Sequence, residues 1–384
     1  MKKLQIDFMQ DKIQMVDLKS QYHKIKSEID QALMVAVEEG AYINGPQVKQ
    51  FAENLRNYTK SNTVITCANG TDALQIAMMA LDFQPGDEVI VPAFTYIATV
   101  EVIALLGLKP VFIDVKDDTF ELDCTQIEAL ITEKTVAIVP VHLFGQCSNM
   151  EMILAEAKKF NIAVIEDTAQ AIGAKYTYVD GTTAYAGTIG TVGTTSFFPS
   201  KNLGCFGDGG AILTQDIILG NKINMIANHG QEKKYHHQVV GVNSRLDTVQ
   251  AAILDVKLKY LDSYSEARQK VAQKYDSHLG GINELILPFR ASYSTHVFNQ
   301  YTCRVLNGKR DDLKNYLAEK GIPTMIYYPI PVHLQEAYKT YGHKQGDFPV
   351  SEQLCREVIS LPIHTEMQED VQQYIIDNII SFFH

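Results

Sequence analysis

One lysine stands in company that suggests chemistry. Lys201 lies in Ser196-Phe197-Phe198-Pro199-Ser200-Lys201-Asn202-Leu203-Gly204, and Gly207-Asp208-Gly209-Gly210-Ala211 follows. Upstream, the apolar run Ala163-Val164-Ile165 ends in Glu166-Asp167-Thr168-Ala169-Gln170. A primary amine can hold an aldehyde as a Schiff base, and a strand-end carboxylate can pair with a protonated ring nitrogen. Singly, the lysine reads as a solvated side chain and Asp-Thr as a helix cap. Their order and spacing together describe a pyridoxal 5′-phosphate (PLP) site. Lys201 would then act as covalent anchor and, once released by a substrate amine, as the base that moves a proton at the substrate carbon. Its pKa must fall for that work near neutral pH.

Other residues supply what such a site needs. Asn69-Gly70-Thr71 ends a β-rich run and opens a helical one. Gly70 lets the backbone approach an anion, and Thr71 can donate to a phosphate oxygen at the helix start. A plain N-capped helix would look the same in isolation. Ser196 is a second phosphate donor at the end of its own strand. Tyr96 follows Val89-Ile90-Val91-Pro92 and could stack on a pyridine face; a half-buried structural tyrosine is the equal alternative. Gln170 could reach the ring oxygen.

The elements that must position these groups are legible. Predicted strands are Val64–Cys67, Glu88–Val91, Pro110–Ile113, Val136–Val139, Ala163–Ile165, Thr194–Phe197 and Gly210–Leu213, mostly apolar on both faces. Helical spacing covers Thr71–Leu81, Met150–Phe160 and Asp216–Ala227. This alternation predicts a three-layer α/β/α domain around a mostly parallel seven-stranded sheet, with ligands at the carboxyl ends of its strands. A long helical stretch, Leu246–Leu279, should lead into a smaller α+β unit. That unit should hold strands at Gln300–Val305 and Thr324–Tyr328 and helices at Arg310–Lys320, Val350–Ser360 and Glu369–Phe382. The expected division is 1–260 and 261–384. Gly187-x-x-Gly190-x-x-Gly193 lacks the G-x-G start of a dinucleotide fingerprint and reads as a loop, which counts against a nicotinamide-dependent oxidoreductase.

Composition bounds the remaining classes. The chain has 384 residues, 46% hydrophobic and 21% charged, as in ordinary globular proteins. A net charge of −11 argues against nucleic acid or an anionic membrane as partner. Six dispersed cysteines without a C-x-x-C pair suggest reduced thiols and a cytoplasmic location. Met1–Asp7 shows no apolar signal core, and no apolar run is long enough to span a bilayer. Eleven histidines include no H-E-x-x-H pattern, so no metal is expected.

From about Met15 to the C-terminal unit, the chain resembles the sugar-nucleotide aminotransferases of the DegT/StrS type, within the aspartate aminotransferase fold group (PLP-transferase type I). The matching segments include Tyr42-Ile43-Asn44-Gly45-Pro46, Asn69–Leu74, Pro92–Thr99, Glu166–Ala171, Phe198-Pro199-Ser200-Lys201, Gly207–Gly210, Asn243–Asp247 and Tyr327-Tyr328-Pro329-Ile330-Pro331. The resemblance implies Lys201 as the cofactor-bearing lysine and Asp167 as the partner of the ring nitrogen. Gln170 would serve the ring oxygen, and Gly70, Thr71 and Ser196 the phosphate. It further implies that Asn243 reaches the phosphate of a neighbouring subunit, hence a homodimer with shared active sites. Arg245, Tyr327 and Tyr328 match positions near the sugar nucleotide. Asn202 stands where several members carry proline. A branch that dehydrates sugars replaces the lysine with histidine; retention of Lys201 favours transamination. The Tyr-Tyr-Pro-Ile-Pro and Leu-Gly-Cys-Phe-Gly-Asp-Gly-Gly runs look most like members that aminate C3 of UDP-2-acetamido-3-oxo-glucuronate, with glutamate as donor, for polysaccharides such as O-antigen. Members acting on dTDP-3-oxo-6-deoxyhexoses or 4-oxo sugars are the alternative. A PLP-binding regulator without turnover is a further alternative.

Overall fold

A computed structural model describes residues 13–384, so the Met1–Asp7 segment lies outside the described residues. The main sheet has seven strands: β1 (Thr63–Cys67), β2 (Glu88–Pro92), β3 (Lys109–Ile113), β4 (Thr135–Ile138), β5 (Ala163–Asp167), β6 (Val192–Ser196) and β7 (Gly210–Thr214). Their order is β1-β7-β6-β5-β4-β2-β3. Neighbours from β3 to β6 pair in parallel, while β7 runs antiparallel to both β6 and β1. The mostly parallel sheet of the sequence reading is therefore present, with the single reversal at the strand after Lys201.

The apolar character of the strands follows from cover on both faces. Val89 and Val91 point into one core with Leu74, Ile76 and Ile103 from the helices Gly70–Ala80 and Ala98–Leu105. Ile90, between them, points to the opposite core with Met150 and Ile153 of the helix Met150–Phe160. Each such buried side chain contributes about 1.5–3 kcal/mol of transfer free energy. The helix starts are fixed locally: Asn69, Asn149 and Asp216 each accept a backbone N–H from the first turn of the helix they precede.

A second core lies in the C-terminal part. Leu285–Ile286, Tyr301–Val305 and Val358–Leu361 form a three-stranded antiparallel sheet. Tyr275, Tyr301, Leu313 and Ile375 pack together around it. Three sequence expectations are corrected here. The stretch 246–279 is two helices, Thr248–Leu258 and Leu261–Leu279, broken at Lys259-Tyr260. Val350–Ser360 is a helix only over Pro349–Glu357; Val358–Leu361 is β, because its four residues are all buried beside Tyr301–Arg304. Thr324–Tyr328 makes one isolated bridge, Met325 to Ser360, instead of a strand. Its tyrosines turn toward the pocket described next.

Candidate active site

A cavity of about 650 Å³ opens where β1, β5 and β6 end. It is lined by Gly70, Thr71, Tyr96, Asp167, Gln170, Ser196, Lys201, Tyr327 and Tyr328, all singled out from the sequence. Asn243 and Arg245 are absent from this lining. Asn243 is exposed, and no ion pair joins Arg245 to Asp247 among the described residues. Among the described residues, Lys201 is the only lysine, arginine or histidine lining the cavity, against four carboxylates: Asp72, Glu101, Asp167 and Asp208.

Each group is held by its element. Asp167 is the last residue of β5 and is buried. Thr99 Oγ1 donates to its Oδ2 at 2.8 Å, and the Ala169 N–H donates to Oδ1 at 3.1 Å. Two donors fix the carboxylate in one rotamer. Its neighbour Glu166 faces the other side of the sheet, as strand alternation requires. There Glu166 accepts backbone N–H bonds from Gly187, Ile189 and Gly190 and contacts His142 Nε2 at 2.9 Å. The Ser148 N–H donates to His142 Nδ1, which leaves Nε2 to donate to Glu166. This satisfied cluster explains the loop at 187–190: its amides donate hydrogen bonds to a fully buried carboxylate.

Gln170 is fixed at both ends. Its Oε1 accepts the Phe144 N–H at 2.7 Å, and its Nε2 donates to Tyr328 Oη at 3.1 Å. Tyr96 is 56% exposed and stands 6.0 Å from the Tyr328 ring, so one of its faces is free. Lys201 is half-buried in the cavity, and among the described residues no acceptor takes a hydrogen bond from its amine. Desolvation pushes its pKa down to about 8, and the negative Asp167 opposes part of that fall.

These residues fit a phosphorylated pyridine aldehyde. A Cβ added at Gly70 would lie 2.7 Å from Ser196 Cβ, so only a glycine permits this close approach of helix start and strand end. The Gly70–Ala80 helix directs its unpaired N–H groups and positive end to the same place. Asp167 offers a fixed anion for a ring nitrogen, and Lys201 an amine with a depressed pKa.

Sequence reasoning missed several contributors. Thr99 lies three residues after Tyr96, inside a segment already noted, and only the fold shows that it reaches Asp167. Glu166 and His142 gave no signal beyond an acidic pair at a strand end. Asn299 and Gln300 reach the cavity from the C-terminal part of the chain. Among the described residues no group of three or more His, Cys, Asp or Glu could hold a metal ion, and no helix is long and apolar enough to cross a membrane. All six cysteines are free and buried.

A mostly parallel α/β sheet with a desolvated lysine sharing a cavity with a strand-end aspartate defines a PLP-dependent transferase of the aspartate aminotransferase fold group. Residues 23–380 match the DegT/DnrJ/EryC1/StrS aminotransferase family, and the chain belongs to it. It is therefore a PLP-dependent aminotransferase, which removes the nicotinamide-dependent reading. It is 46% identical over 352 residues to the UDP-2-acetamido-2-deoxy-3-oxo-D-glucuronate aminotransferase of Pseudomonas aeruginosa, covering 92% of this chain and 95% of that one. It is also 46% identical over 373 residues to a protein of Geobacillus stearothermophilus named a pleiotropic regulatory protein, covering 97% and 98%. The crystal structure of S. venezuelae DesV in complex with a ketimine intermediate superposes with a TM-score of 0.93 at 37% identity, covering 97% of this chain and 98% of that one.

Proposed function

We propose that this enzyme transfers the amino group of glutamate to a 3-oxo sugar nucleotide, of the UDP-2-acetamido-3-oxo-glucuronate type, in the cytoplasm. The observation that carries the chemistry is Lys201, desolvated in a cavity that Asp167 also lines. The 46% identity to the glucuronate enzyme supports the substrate class. The dTDP-3-oxo-6-deoxyhexose alternative is supported by the likeness to DesV.

In this reading the residues divide the work. Bound PLP supplies an electron sink conjugated to the substrate nitrogen. Asp167, held by Thr99 and Ala169, keeps the ring nitrogen protonated. Gln170 is braced toward the ring oxygen by the Phe144 N–H and Tyr328. Tyr96 covers one ring face. Gly70, Thr71 and Ser196 hold the phosphate. Lys201 Nζ takes the proton from the donor's α-carbon and later delivers one to C3 of the sugar; its depressed pKa makes it a base near neutral pH. Tyr327 and Tyr328 form the sugar wall.

Among the described residues, the cavity of one chain holds a single cation, while the expected substrates carry a diphosphate and one or more carboxylates. That imbalance supports a homodimer whose partner contributes Asn243 to the phosphate and Arg245 to the sugar acid. Met34, Val37, Tyr42 and Ile43 form an exposed apolar surface, and Ile43 bridges Asp247 beside Arg245. The division at 260/261 belongs to the same proposal, supported by the helix break at Lys259-Tyr260 and by the separate C-terminal core.

A panel of 3-oxo and 4-oxo sugar nucleotides with glutamate, read by mass spectrometry, tests the reaction; amination of 4-oxo sugars alone overturns the C3 assignment. Mixing Lys201→Ala and Asn243→Ala subunits tests sharing. Activity should return in heterodimers, and none with proven subunit exchange removes the cross-subunit role. Arg245→Lys should impair acidic acceptors more than neutral ones; an equal loss rejects the carboxylate contact.

A further inference from the structure

Lys201 sits in a loop without regular structure between β6 and β7. Within it, Lys201 N–H donates to Phe198 O at 2.8 Å, and Cys205 N–H closes on Phe197 O at 2.8 Å. Two buried side-chain anchors follow Lys201 in the chain. Lys257 Nζ donates to Gly204 O at 2.6 Å. Nearer, directly after Lys201, Asn202 is buried and joins a second buried asparagine. Asn299 Nδ2 donates to Asn202 Oδ1 at 3.0 Å, and Asn202 Nδ2 donates to Val297 O at 2.9 Å.

Asn299 is not an ordinary scaffold residue. It lines the cavity with its neighbour Gln300. Its backbone is pinned from behind by the buried Arg268, whose Nη1 donates to Phe298 O at 3.0 Å, Asn299 O at 3.3 Å and Ile363 O at 3.1 Å. Phe298 holds φ at +46°, and its ring stacks on His296 at 3.8 Å. Gly145 approaches so closely that an added Cβ would lie 2.9 Å from the backbone nitrogens of both Phe298 and Asn299. The wall at 297–300 is thus over-determined, and the Asn202–Asn299 contact is where it meets the lysine loop, whose Phe197, Leu203 and Cys205 pack into a separate core.

We infer that the Asn202–Asn299 amide pair is the positioning device that fixes Lys201, transmitting the rigidity of the Arg268-pinned wall to the loop that carries the reactive amine. Asn202 and Asn299 act through Lys201. The inference rests on the reading of Lys201 as that amine. It also makes the C-terminal unit a contributor to lysine placement. Loss of either amide leaves a buried polar partner unsatisfied and releases the residue adjacent to Lys201. A misplacement of about 1 Å at a reacting group can cost on the order of a hundredfold in rate.

The experiment uses the cofactor-loaded enzyme with Asn202→Ala, Asn299→Ala and the double variant. Borohydride reduction and peptide mapping first locate the cofactor; a label on a lysine other than Lys201 in the wild type sinks the reading of Lys201, whatever the asparagines do. With the label on Lys201, each single variant should slow the glutamate half-reaction by roughly 10- to 100-fold with little change in KM. Each should also shift the pH at which the lysine-linked absorbance changes. The double variant should lose no more than the worse single one, because both remove the same link. Asn299→Ser, shorter but still polar, serves if alanine variants fail to fold, and should show the same kinetic and spectral changes. Wild-type half-reaction rates and an unmoved absorbance profile, even with a lowered melting temperature, would show that the pair is structural only and overturn the inference. So would additive losses in the double variant.

Discussion

The depressed pKa of Lys201 can be tested without any sugar substrate. An ordinary lysine titrates at 10.5, and burial brings Lys201 to about 8. At about 1.36 kcal/mol per pKa unit, the cavity disfavours the ammonium by about 3 kcal/mol. At pH 7 such an amine is free in roughly one molecule in ten, against roughly one in three thousand for a solvated lysine. Capture of PLP by the cofactor-free chain should therefore be several hundredfold faster than by a surface lysine. Its rate should rise with pH and level off above about 8. Stopped-flow absorbance, with peptide mapping of the reduced product, measures both. Asp167→Asn removes the anion that favours the ammonium, so its break should move to lower pH. The folded value lies below the unfolded one, so the unfolded chain binds more protons between about 8 and 10.5. The cofactor-free chain should accordingly gain stability as pH rises through that window. Lys201→Met should remove part of this gain, and Lys257, also lowered to about 8, should retain its own part. A capture rate still climbing beyond pH 10 would refute the desolvation argument.

Thr99→Val removes one of two donors to Asp167 at constant shape. A hydrogen bond to a charged group is worth about 1.5–3 kcal/mol, so turnover should fall roughly 10- to 100-fold, and a change below twofold would free Asp167 from this dependence. Gly70→Ala puts a methyl against Ser196 and should cost about 1–3 kcal/mol of local strain, read as cofactor lost on dialysis; full retention would show that the cradle yields. His296 and His364 are held neutral by burial, at about 3 and about 4, below the unfolded 6.5. Their contribution to stability is present above pH 6.5 and lost as pH falls through those folded values. His296→Gln should flatten acid unfolding in that window, and an unchanged slope by denaturant titration would assign acid sensitivity elsewhere.

Much of this protein is determined by local sequence. Apolar runs with alternating faces fix the strands of the main sheet, because each must be covered on both sides. Asn69, Asn149 and Asp216 fix helix starts, because a short polar side chain satisfies otherwise unpaired amides. The order Gly70, Tyr96, Asp167, Ser196, Lys201 brings these residues to one cavity, because strand ends in such a sheet converge. The tertiary structure decided what depends on contact between distant segments. Thr99 meets Asp167, Gln170 meets Tyr328, and Asn202 meets Asn299, across separations that no periodicity reports. The helical pattern at 350–360 gave way to β at Val358–Leu361, since pairing with the strand Tyr301–Val305 buries those four residues fully. The lowered pKa of Lys201 is of the same kind. The residue type supplies an amine, but only the surrounding fold removes the water that would keep it charged.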